Sequence, residues 1–214
     1  MRRVLMWLHG GAWMMRPEGD RSAKAYQRHG LEVVPATYRL SGEARWPAQL
    51  ADVRAAAREI MAGDPDVRLL VAGHSAGAHL ALHLALRGVN RPGDVAAVIA
   101  ASPPTDPLAA DWPESREAGS PWARLLGQVP AAGDPATADV TVANHVGTGV
   151  PVLLLHGADD QVVPPTQTLD LANALLAAGH PVTAYLCPGG HDLRLDDADV
   201  EQVVAAFLRG PAAG

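Results

Sequence analysis

Two short strings carry the residue types that acyl-transfer chemistry needs: His9-Gly10-Gly11-Ala12-Trp13 and Gly73-His74-Ser75-Ala76-Gly77. The second sets a serine between glycines two residues before and two after it. A largely apolar run from Val67 to Ala72 precedes it, and the alanine- and leucine-rich run from Ala78 to Leu86 follows. That strand, turn and helix context is what a nucleophile elbow requires. The turn is strained and the strand and helix backbones pass close together, so the flanking positions must be small. Ser75 is thereby predicted to present its hydroxyl as a nucleophile at a strand end. The first string directly follows the apolar stretch Val4 to Leu8, and a glycine-rich strand end of this kind turns backbone N–H groups toward a developing oxyanion. The amide of Ala76, next after the serine, is predicted to donate to the same oxyanion.

A serine hydroxyl is a weak nucleophile without a base and an orienting acid, and in the order Ser, acid, His both come later in the chain. After an apolar run at 150–155 comes His156-Gly157-Ala158-Asp159-Asp160, with Val163-Pro164 behind it; after 182–187 comes Pro188-Gly189-Gly190-His191-Asp192. Gly189 and Gly190 suit a loop that must swing an imidazole over the elbow, so His191 is read as general base and later general acid. His9, His74 and His156 each stand before a tight turn and are read as structural hydrogen-bonding groups. For the acid, the residues alone leave Asp159, Asp160, Asp192 and Asp196 open, although adjacent loop residues point different ways and only one of the first pair can reach the imidazole.

These residues need a scaffold that brings distant segments to one edge. Runs at 3–8, 31–37, 67–72, 95–101, 150–155 and 182–187 read as strands, and 20–29, 48–62, 76–88, 166–178 and 197–209 as helices. This alternation predicts an α/β fold whose mostly parallel sheet of about six strands is covered on both faces. Each candidate then lies just past the C-terminal end of a strand, where open α/β sheets place their sites. The interval from Ser102 to Gly149 is the exception, with seven of the 18 prolines and no clear strand. It reads as a lid-like insertion at about 103–149, with a short helix near Pro121 to Gly127 and a loop over Pro130 to Asp139. The tail from Pro211 to Gly214 is expected to fray.

Composition sets bounds. A chain of 214 residues, 48% hydrophobic and 19% charged, fits one globular domain. A net charge of -6 with no lysine or arginine cluster speaks against nucleic acid and anionic membranes as partners. The single cysteine, Cys187, allows no intramolecular disulfide, and the apolar run after Met1-Arg2-Arg3 is too short for a signal peptide, so a cytoplasmic location is the expectation. No stretch reaches the roughly 20 apolar residues of a membrane span. His79 and His83 have an i, i+4 spacing that can bind metal, but no third ligand is indicated nearby and a helix behind an elbow is normally buried. No metal or organic cofactor is expected, because every step of acyl transfer falls to side chains and backbone already named. Trp13 and one tryptophan of the inserted interval, Trp112, are read as substrate-binding.

The motifs together resemble an α/β-hydrolase of the esterase group that includes hormone-sensitive-lipase-like carboxylesterases and kynurenine-formamidase-like enzymes. His9-Gly10-Gly11-Ala12-Trp13 is similar to the HGGxW of the formamidase branch, the lipase-like branch more often having a third glycine where Ala12 stands. Tyr38-Arg39-Leu40 and Trp46 to Val53 are similar to the stretch both branches carry ahead of their first large helix. Four motifs in the right order extend the similarity over nearly the whole chain, although it starts at a strand before which relatives usually carry one or two more. By this resemblance the acid is Asp160, from the pattern HGxxDxxVP, and the loop donors to the oxyanion are Gly11 and Ala12, with Gly10 left open. What it implies is a serine hydrolase of small carboxylic esters acting through Ser75, His191 and Asp160. Hydrolysis of an N-formyl aryl amide, or acyl transfer or cyclisation in a biosynthetic route, would use the same residues. A ligand-binding relative without chemistry is disfavoured because no triad position is missing. The expected partner is a small-molecule ester or amide; self-association as a homodimer is left open.

Overall fold

Along the inner strands, successive apolar side chains go to opposite faces of one sheet and build two separate cores. Met6 and Leu8 join Leu69, Val71, Val98 and Leu154 on one side, while Leu5 and Trp7 join Leu70, Ala72, Ile99 and Leu155 on the other. Strands buried on both faces read as near-continuous apolar runs, as those of parallel sheets do. The structure, a computed structural model, describes residues 2–18, 22–64, 66–210 and 212. Its strands are β1 (Arg3–Leu8), β2 (Glu32–Ala36), β3 (Arg68–His74), β4 (Ala97–Ala101), β5 (Val152–Gly157) and β6 (Val182–Cys187). They form a six-stranded sheet in the order β2-β1-β3-β4-β5-β6, with every neighbouring pair parallel. A parallel sheet of six strands with helices on both faces is the α/β architecture expected.

The helices are α1 (Ser22–Gln27), α2 (Ala48–Gly63), α3 (Ala76–Arg87), α4 (Pro121–Leu126), α5 (Pro135–Val140), α6 (Thr166–Ala177) and α7 (Ala198–Arg209). Residues of α2, α3 and α6 fill the first core, and Tyr26 of α1 with Val204, Phe207 and Leu208 of α7 close the second. The predicted helix start at 20 and 21 lies outside the described residues, as do Pro211, Ala213 and Gly214 of the tail expected to fray. Ala212 is described and is buried, with its N–H donating to the Phe207 carbonyl.

The connection into α2 is fixed by an ion pair. Arg39 reaches Asp52 with Nε and Nη2 at 2.9 and 2.8 Å, and its own amide donates to the same carboxylate at 2.9 Å. A two-pronged guanidinium–carboxylate contact specifies geometry better than a single surface pair does, which gives the Tyr38-Arg39-Leu40 to Asp52 segment a positioning role.

One expectation is corrected. The tract Pro130 to Asp139 is not all loop, since α5 occupies its second half. Asp134 caps that helix, accepting the Thr137 amide at 2.7 Å and the Thr137 hydroxyl at 2.9 Å, and Pro135 sits in the first turn, where its missing N–H costs nothing. The inserted interval is also packed down rather than free. Trp122, Leu125, Val140 and Val142 belong to the first core.

Candidate active site

Four strand ends converge at the C-terminal edge of the sheet. After β3, the chain turns at Ser75 with φ 51° and ψ -120°, a conformation that a non-glycine residue holds only at a cost of roughly 1–3 kcal/mol. Tight packing enforces it. A Cβ on Gly73 would stand 2.4 Å from the Gly77 carbonyl carbon, and one on Gly77 would stand 2.1 Å from the Leu8 carbonyl oxygen. The close approach inferred from the glycine spacing is therefore a physical fact of the elbow.

Ser75 lies in a hydrogen-bonded chain. Its Oγ is 2.9 Å from His191 Nε2, and His191 Nδ1 is 2.7 Å from Asp160 Oδ2. Burial alone would push the Asp160 carboxyl up. Hydrogen bonds from His156 and His191 and from the amides of Val163 and Val162 outweigh that and hold it well below the usual carboxylate range. An ionised Asp160 accepts, so Nδ1 carries the proton and Nε2 offers a lone pair to the Ser75 hydroxyl. Asp159, by contrast, is exposed, and its amide donates to the Gly189 carbonyl at 2.9 Å.

Two further layers hold this chain in place. His156, fully buried, faces two acceptors with Nε2, Asp160 Oδ2 at 3.1 Å and the Val163 carbonyl at 3.0 Å, while Nδ1 lies 2.7 Å from Thr168 Oγ1 on α6. Only the Nε2–H tautomer satisfies all three, with the threonine hydroxyl donating to Nδ1. His156 is thus a structural hydrogen-bonding residue, as expected, but the group it positions is Asp160 itself. The His191 carbonyl accepts from His74 Nε2 at 2.9 Å and from Ser102 Oγ at 3.1 Å. Ser102 and Thr168 carry no motif signal. Position just past β4 is the only hint for Ser102.

The glycine loop after β1 is equally constrained. Gly11, Ala12 and Trp13 have φ of 109°, 55° and 58°, three consecutive residues in the left-handed half of conformational space. The Gly11 carbonyl accepts the amides of Met14 and Met15 at 2.8 and 3.0 Å, closing a tight turn. Among the described residues, the amides of Gly11 and Ala12 donate to no protein acceptor. Ala76 opens α3, so its N–H has no carbonyl one turn back. Free amides beside the Ser75 hydroxyl are what a developing oxyanion needs. Upstream, His9 Nδ1 donates to the Gly10 carbonyl at 2.6 Å, and the Tyr38 hydroxyl donates to the His9 carbonyl at 2.8 Å.

Two cavities meet at Ser75. One, of about 420 Å³, is lined by Ala12, Trp13, Ala76, Trp112 and Trp122 together with Ser75. The other, of about 410 Å³, is lined by Gly10, Gly11, Met15, Pro17 and His191 together with Ser75. Trp13 and Trp112 thus both face the first cavity, and Trp122 lines it as well. Trp46 does not, since it packs on His79 and His83 and donates its Nε1 to Asp139 at 2.7 Å.

The His79 and His83 pair is buried behind the elbow, both Nε2 atoms 3.0 Å from the Val140 carbonyl. No third ligand group accompanies them among the described residues. Burial drives His79 down to about 4 and pushes His83 well below its ordinary value, with His145 and Arg87 adding repulsion. As pH falls below about 6.5 the unfolded chain takes up protons that the folded chain does not, so stability falls with pH, for His79 until it titrates near 4. At pH 5 this amounts to about 2 kcal/mol for His79, and His83 adds in the same direction. The urea midpoint of the native chain should therefore drop between pH 7 and pH 5.5 more than that of His83→Gln, and parallel drops would show that the pair does not set the acid limit.

A family profile described as BD-FAE matches residues 1–175. No curated protein matches the chain in sequence. Among solved structures, a truncated form of a carbohydrate esterase from gut microbiota superposes with a TM-score of 0.89 at 24% identity, covering 100% of this chain and 87% of the other. An acetyl ester-xyloside bifunctional hydrolase from Caldicellulosiruptor lactoaceticus gives 0.81 at 22%, over 97% of this chain and 83% of the other. A thermophilic esterase from the Planctomycetes species Thermogutta terrifontis, with propionate bound, gives 0.75 at 20%, over 97% and 83%. At these identities the likeness is one of fold.

Proposed function

The chain belongs to the BD-FAE family, and from that premise we propose that it is a serine esterase cleaving small carboxylic esters through Ser75, His191 and Asp160. The observation that carries this reading is the chain of hydrogen bonds, 2.9 Å from Ser75 Oγ to His191 Nε2 and 2.7 Å from His191 Nδ1 to Asp160. Ser75 adds to the ester carbonyl as its proton passes to His191 Nε2. The tetrahedral oxyanion takes hydrogen bonds from the amides of Ala76, Ala12 and Gly11, and the imidazolium is stabilised by Asp160. Collapse expels the alcohol, protonated by His191, and water then repeats the sequence on the acyl-enzyme. The solved neighbours support an ester substrate by their descriptions, a carbohydrate esterase and an acetyl ester hydrolase among them.

The test is covalent. A fluorophosphonate probe should abolish hydrolysis of p-nitrophenyl acetate and butyrate with one adduct per chain, and tryptic mapping should locate it on Ser75. Labelling elsewhere, or full activity after stoichiometric labelling, would overturn the assignment. N-formylkynurenine run beside the esters separates ester from formamide cleavage, and faster turnover of the amide would replace the ester reading. With an inserted interval this short, acetate and butyrate are expected to turn over faster than the twelve-carbon ester.

A further inference from the structure

Resting on the esterase reading, we infer that the tryptophan-lined cavity holds the acyl half of the substrate, and that Glu114 and Glu117 on its wall select against acyl groups carrying negative charge. His191 must protonate the leaving oxygen, so the alcohol half departs on the side where His191 lies. That side is the cavity formed by Met15, Pro17, His191 and Asp192. The acyl substituent then extends the other way from the Ser75 adduct, into the cavity of Trp13, Trp112 and Trp122. Val162, 58% exposed, lines both cavities, as Ala12 and Ser75 do.

The acyl cavity is apolar at its base and acidic at one wall. Trp13 and Trp122 are buried, and Pro104 and Val163 add apolar surface. Glu114 lies in a single 3₁₀ turn at Pro113–Arg116, which Trp112 precedes, and Glu117 follows immediately, its amide donating to the Glu114 carbonyl at 3.2 Å. Glu114 and Glu117 both line the cavity at its exposed rim, and no lysine or arginine lines it. Among the described residues neither forms an ion pair; Arg116, between them, pairs with neither. Two carboxylates at the rim with no cation beside them repel an anion entering the cavity, and because both are exposed the repulsion is strongest at low ionic strength. An acyl chain ending in a methyl, a hydroxyl or a quaternary ammonium meets no such penalty, and the last also gains the tryptophan faces.

Three p-nitrophenyl esters of similar acyl length test this: pentanoate, hemisuccinate and 4-(trimethylammonio)butanoate. The native chain should favour pentanoate over hemisuccinate in kcat/KM by about tenfold at low salt, the preference shrinking as salt is added. The double variant Glu114→Gln, Glu117→Gln should narrow that ratio to about threefold or less and lower the relative rate of the ammonium ester. When the charge is moved to the leaving phenol, the same double substitution should leave discrimination unchanged. Hemisuccinate turned over as fast as pentanoate by the native chain, an unaltered ratio in a folded double variant, or an equal effect on phenol charge would each overturn the inference. Failure of the esterase reading looks different, because then pentanoate itself is not hydrolysed and Ser75 is not labelled.

Discussion

Asp160→Asn is expected to lower kcat by about 10⁴-fold with little change in KM, the loss that removal of the triad aspartate's charge causes in serine proteases. The local hydrogen bonds dictate how. Oδ1 of Asp160 accepts the amides of Val162 and Val163 at 2.8 and 3.0 Å, so an asparagine would keep its carbonyl oxygen on that side. Its NH₂ would then face His191 Nδ1 and His156 Nε2, where Oδ2 now accepts at 2.7 and 3.1 Å. His191 would have to accept at Nδ1 and carry its proton on Nε2, pointing an N–H at Ser75 instead of a lone pair. Proton abstraction from the serine stops while binding of the ester is untouched. Asp159→Asn should stay within about twofold of the native rate, because an exposed charge outside the chain contributes only a screened field. Both variants, assayed on p-nitrophenyl acetate with thermal melts to establish folding, decide between the two aspartates. An inactive Asp159 variant beside an active Asp160 variant would reverse the assignment.

The parts of the site that were legible in the sequence are those set by local rules. Glycines two residues either side of Ser75 announce a turn that only they can enter, and the alternation of apolar strands with helical runs places the segments of Ser75, Asp160 and His191 at one sheet edge. What stayed hidden depends on contacts between distant segments. His156 reads as a turn histidine because its three partners are Asp160, Val163 and Thr168, and the last stands on a helix one connection away. Ser102 grips the His191 carbonyl across 89 positions of chain, a distance no spacing rule spans. In the inserted interval, seven prolines masked α5, although Asp134-Pro135 with Thr137 three residues past the cap is a recognisable helix start. Proline density argued for loop. Proline position argued for helix, and position prevailed because the first turn needs no N–H from that residue.

Gly157 shows the same division between local signal and distant cause, and it yields the second large expected effect. It ends β5 with an ordinary φ, so nothing about its own backbone demands glycine. Yet a Cβ there would stand 2.2 Å from the Gly190 carbonyl oxygen and 2.5 Å from that of Gly189, inside any tolerable contact. The loop that bears His191 would have to withdraw by roughly 1 Å, a displacement that costs a positioned catalytic group about 10²-fold. It cannot withdraw as a rigid unit, because the His191 carbonyl is tied to His74 and Ser102 while the Gly189 carbonyl is tied to the Asp159 amide. The strain therefore falls on the residues leading into His191 and rotates the imidazole away from Ser75. Gly157→Ala should accordingly lose about 10²-fold in kcat with a modest destabilisation of about 1–3 kcal/mol, since the clash lies at the sheet edge and not in either core. Gly190→Ala is the matched control, with no atom within 4 Å of its would-be Cβ, and should remain within a few-fold of the native rate. A native kcat in Gly157→Ala, or an equal loss in Gly190→Ala, would mean that general stiffening of the loop, and not the approach of Gly157 to it, governs where His191 sits.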